Sequence, residues 1–150
     1  PDEYIENFGA DALRMYLMFI APFEQGGDFR DQGILGVERF LSRVWKLQDK
    51  ISLRDIPKIG RSKKLEALLH KTIKKITDDI DNLHYNTAIS ALMIFINTFE
   101  NEPNAQGFEI FLKLLAPFAP HMSDEIWRGA LGNKKSIHLE AWPAFDEKFI

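Results

Sequence analysis

Residues 34–51 read ILGVERFLSRVWKLQDKI. Val37, Phe40, Leu41, Val44, Leu47 and Ile51 recur at the three- and four-residue steps of one helix face. The same helix carries a second row: Arg39, Arg43, Lys46 and Lys50, continued by Arg54, stand 4, 3, 4 and 4 residues apart. At 3.6 residues per turn they share one face, away from the apolar stripe. Like charges one turn apart repel by a few tenths of a kcal/mol, so this row does not serve helix stability. About 20 Å of aligned cations suits a ladder of phosphates, where each contact releases counterions. Trp45 stands on the border between the two faces. It reads as a half-buried packing residue or as a stacking platform.

Working outward, helical segments recur on both sides, separated by short connections. Residues 2–20 form a helix interrupted at Gly9, with Asp11 placed to cap the part after the break and Leu13, Leu17 and Ile20 facing one way. Pro22 ends it. Residues 23–36 are loop-like, with Phe23 and Phe29 turned inward. Residues 53–60, holding Pro57 and Gly60, read as a connection. Ser62 opens a long amphipathic helix marked by Leu65, Leu68, Leu69, Thr72, Ile76, Ile80 and Leu83. On it, Lys64, Lys71 and Lys75 form a shorter cationic row. Asn86 reads as the cap of the next helix, 87–100, which is apolar nearly all round and so central. Phe108 to Leu115 form another helix ended by Pro117. Pro120 starts a short one closed by Gly132. The tail, 133–150, reads as irregular. The expected fold is all-α: one antiparallel bundle of about five helices over residues 1–150, with short connections.

Composition sets the outer bounds. The 150 residues are 45% hydrophobic and 27% charged, the balance of a globular domain with one core. With no cysteine there is no disulfide framework, thiolate zinc site, iron–sulfur cluster or cysteine nucleophile. No apolar run is long enough to span a membrane. The net charge of −3 hides a strong segregation. Residues 1–37 carry seven acids and two bases, 38–75 twelve bases and four acids, and 76–112 six acids and no base. A basic middle segment can attract a polyanion although the chain as a whole is acidic.

Little else promises chemistry. Glu66 and His70 stand one turn apart on a polar face. His121, close to Asp124 and Glu125, reads as a helix-start histidine rather than a metal ligand. No nucleophile–base pair and no phosphate loop is present, so no catalytic and no metal-binding residue is expected.

Resemblance adds what spacing cannot. The string YIENFGADALRMYLMF, residues 4–19, resembles the segment after the KMSKS loop of class I aminoacyl-tRNA synthetases. APFEQGGDFRDQGILGVERFLSRVWKL, LHKTIKKITDDIDNLHYNTAISALMIFIN, LLAPFAPHMSDEIW and SIHLEAWPAFDE look like the leucyl family within that class. The resemblance runs in order along the whole chain. It implies an anticodon-binding-type helical domain that contacts leucine tRNA along its backbone without reading anticodon bases. It also implies a parent enzyme that uses ATP with magnesium. The HIGH and KMSKS motifs are not in this sequence, so the piece itself is expected to be catalytically silent and without cofactor. Residues 1–20 would be a linker helix from the catalytic domain, with Asp11 and Arg14 in contact with it; for Asp11 a plain helix cap is an equal reading. The remaining expectations are a cytoplasmic location, a monomeric piece of a longer chain, and no membrane association. Two alternatives stay open: the same domain of a valyl or isoleucyl enzyme, and a helical interaction module.

Overall fold

A computed structural model describes residues 1–20, 22, 25, 29–51 and 62–150. Among them there are seven α-helices and no strand. The first two, α1 (Asp2–Phe8) and α2 (Ala10–Phe19), meet at Gly9. Gly9 has φ 87 and ψ 159, a region essentially closed to any residue with a Cβ. The break expected there is therefore real, and glycine is what permits it.

Helix α2 does not bury the face expected of it. Asp11, Ala12, Met15 and Tyr16 are buried, whereas Leu17 is 57% exposed. Apolar residues fill almost every position from 12 to 20, so periodicity fixes no phase. The packing of α2 against its neighbours in the fold chooses it instead.

Helix α3 (Asp31–Lys50) begins earlier than its sequence suggests. No side chain caps it. Instead Tyr16 reaches over from α2: its hydroxyl accepts from the Arg30 N–H at 3.0 Å and donates to the Arg30 carbonyl at 2.9 Å. Gly33 lies beneath the same ring, and a Cβ there would stand 2.7 Å from the Tyr16 ring carbons. Phe29 packs edge-on to Tyr4 and Tyr16 at 4.8 and 5.1 Å. The expected stripe is buried in full, from Val37 through Ile51, with Ile34 added. Phe23 and the connection 53–60 lie outside the described residues.

Ser62 caps α4 (Lys63–Asp81) as expected, its hydroxyl oxygen accepting from the Leu65 N–H at 3.1 Å. Three residues, 82–84, then return the chain into α5 (Tyr85–Phe99), making the two helices an antiparallel hairpin. Leu83 adopts φ 60 and is 53% exposed, so it leaves the apolar stripe on which its spacing placed it. Asn86 is not the cap, because it already lies inside α5, which His84 precedes. Buried Asp79 fastens the hairpin instead: it receives the Thr87 hydroxyl at 2.7 Å and the Lys75 ammonium.

Helix α5 packs on α2, α4 and α6 (Ala105–Leu115), although Ile94 is 61% exposed and one side faces outward. Asn104 caps α6 by accepting from Gly107 N–H at 2.8 Å. The centre is a chain of phenylalanine rings: Phe95 lies 5.3 Å from Phe99 and 5.6 Å from Phe111, and Phe99 lies 6.4 Å from Phe108. Each fully buried ring contributes about 1.5–3 kcal/mol. Pro120 opens α7 (Pro120–Glu125), which runs into a π-helical turn, Ile126–Ala130. The tail is irregular apart from 3-10 turns at Ile137–Leu139 and Glu147–Phe149.

Candidate nucleic-acid interface

The basic row of α3 divides into two kinds of side chain. Arg39, Lys46 and Lys50 are exposed and form no ion pair with any described residue. Arg43 is different: its guanidinium donates to Glu100 at 2.7 Å and to Asn97 at 2.7 Å, both beside the end of α5. Its charge is matched within the fold, and it straps α3 to α5. Arg54 lies outside the described residues. On α4, Lys64 and Lys71 are exposed and without an ion pair to a described residue, whereas Lys75 is held by Asp79. Sequence spacing does not reveal that Glu100, at the end of another helix, reaches Arg43, whereas Asp79 stands one turn from Lys75 on the same helix. Among the described residues, three cations on α3 and three on α4 (Lys63, Lys64 and Lys71) are without an ion pair.

Asp11 does not cap its own helix. Sitting in the first turn of α2, it accepts from the Met122 N–H at 2.7 Å and the His121 N–H at 3.3 Å. These are free donors of the first turn of α7, over a hundred residues away in the chain. The His121 ring completes the set, with Nδ1 2.8 Å from the carboxylate. The Gly9 break is what lets Asp11 reach this seat. Arg14 donates to the Pro117 carbonyl at 3.1 and 3.3 Å. Both residues therefore have partners inside the domain.

A cleft of about 450 Å³ opens between the Gly9 turn, α3 and the start of α7. Trp45, Leu41, Glu38, Ser42, His121 and Met122 are among its lining residues. Trp45 is 44% exposed there. Phe40, Phe95, Phe99, Phe108, Phe111 and Phe118 are all buried, in keeping with their reading as core.

His70 has a role that the Glu66 spacing only hinted at. Its Nδ1 accepts from the Asp146 N–H at 3.0 Å, so the proton sits on Nε2, which faces Glu66 at 3.2 Å. Phe149 stacks on the ring at 4.8 Å, pinning the tail to α4. Burial pushes the Asp124 carboxyl up. The Ile137 N–H and Ser136 hydroxyl, both at 2.8 Å, outweigh that with help from Arg128 and His138 and hold it below its usual range. Asp146 is also lowered, chiefly by its hydrogen bonds with Lys148. Among the described residues no group of three His, Cys, Asp or Glu could hold a metal ion, and no helix is long and apolar enough to cross a membrane.

The described residues are all-helical and turn Arg39, Lys46 and Lys50 outward on α3. The sequence profile described as "Anticodon-binding domain of tRNA ligase" matches residues 62–150, and the chain belongs to this family. Within it the similarity is to leucine–tRNA ligases. The chain is 43% identical to that of Borrelia turicatae over its whole length, and 40% identical to that of Herpetosiphon aurantiacus. It spans about a fifth of those relatives, 18% and 19% of their lengths. The Agrobacterium radiobacter K84 LeuRS, solved as a ternary complex with tRNA and LeuAMS, superposes with a TM-score of 0.86 at 28% identity. That match covers 99% of this chain and 22% of that one.

Proposed function

We propose that this chain serves as the tRNA-docking domain of a leucine–tRNA ligase, which uses ATP with magnesium to attach leucine to its tRNA. The exposed row of Arg39, Lys46 and Lys50, without an ion pair to any described residue, carries the reading. It lies along the phosphate backbone of leucine tRNA, with Lys64 and Lys71 as a lesser contact; Arg54, the next cation of the spacing in the sequence, is assigned the same role. Arg43 and Lys75 support the fold from within; Asp11 and Arg14 border the catalytic portion of the ligase through the elements they fasten. In this reading the domain holds no cofactor, works as a monomeric unit of a longer cytoplasmic enzyme and makes no membrane contact.

The test is a fluorescence-anisotropy titration with leucine tRNA and a non-cognate tRNA at two salt concentrations. Weak, salt-sensitive and poorly discriminating binding is expected. Changing Arg39, Lys46 and Lys50 together to Glu should lower the log–log salt slope by about two to three. An unchanged slope in that triple variant removes the reading.

A further inference from the structure

We infer that the cleft beside Trp45 receives one unstacked purine of the bound RNA, with guanine preferred. The inference deepens the docking reading above and rests on it. On α3, Glu38, Ser42, Trp45 and Asp49 form the ridge next to the cations, between them and the buried stripe. A strand whose phosphates lie on Arg39 and Lys46 therefore brings its bases to this ridge.

Trp45 is 44% exposed, whereas Phe40, the other aromatic of α3, is 3% exposed. An indole left open beside a row of cations matches the stacking platforms of single-strand binders. The cleft, at about 450 Å³, is within the range of small-ligand sites. Leu41 and Met122 make it apolar on one side. Its polar side offers Glu38, Ser42 and His121.

Charge selects the base. The Asp11 carboxylate, also in this cleft, is already matched by two N–H groups of α7 and by the His121 ring. Glu38 has no ion pair with a described residue, so its two oxygens are left to accept. Among bases, guanine offers adjacent N1–H and N2–H donors on its Watson–Crick edge, the pair that a carboxylate receives best.

The experiment uses the 150-residue protein with Trp142→Phe, which leaves Trp45 as the exposed indole because Trp127 is buried. The probes are a leucine-accepting tRNA transcript, hexa-adenylate, hexa-adenylate with one central guanosine, and hexa-uridylate. Emission should be quenched by the tRNA and more by the guanosine hexamer than by the others. Trp45→Ala should weaken binding about tenfold, and Trp45→Phe no more than about threefold. Glu38→Gln should erase the guanosine preference and leave hexa-uridylate binding unchanged. Salt-sensitive tRNA binding with unmoved Trp45 emission, or wild-type affinity in Trp45→Ala, overturns the base site while the docking reading stands. Absence of any RNA binding by the wild type overturns both.

Discussion

Gly9 shows how a single backbone position organises a contact between distant parts of the chain. Its φ 87 and ψ 159 turn α1 into α2 in one residue and set Asp11 beneath α7. A Cβ at Gly9 would meet nothing within 4 Å, so Gly9→Ala isolates the conformational cost, about 1–3 kcal/mol, read as a lowered urea midpoint. Asp11→Ala should cost about 1–2 kcal/mol, since two N–H groups of α7 and the His121 ring lose their acceptor. Denaturation with an unchanged m-value checks it. The sequence marks Asp11 as a capping residue but points to the wrong helix, because a cap supplied across a hundred residues leaves no local pattern. The same holds for Arg43: its spacing is legible, its Glu100 partner is not.

At the level of elements, the legible part is whatever period and punctuation encode. The stripe of α3, the Ser62 cap, the Gly9 break and the Pro120 start all stand where the residues put them. The errors fall where local signal is weak. α2 is apolar on nearly every side, so its buried face is chosen by its neighbours. α3 starts early, at a point where Tyr16, from another helix, holds both backbone groups of Arg30 just ahead of its first turn. This last contact gives a prediction about the α2–α3 pair. Gly33→Ala would drive a methyl into the Tyr16 ring and cost about 1–3 kcal/mol of stability. Combining it with Tyr16→Leu should recover part of that loss; additive losses in the double variant would contradict the clash.

Across the whole molecule, charge bears on stability. Asp124 is depressed below its ordinary value near 3.8, so its contribution is present above that pH and lost as acid protonates the folded form. Stability should fall as the pH drops below about 4, and Asp124→Asn should flatten that part of the profile while keeping the tail docked. Thermal melts from about pH 6 to about pH 2.5 measure it. The amino end carries a mechanical consequence as well. Helix α1 buries no residue fully and joins the body through Gly9, two residues before the buried part of α2 begins at Asp11, and through the contact of Tyr4 with Phe29. It is thus an arm braced at the Tyr4–Phe29 contact and pivoting at one dihedral pair: force applied to it reaches the seat of α7 with no slack chain to absorb it.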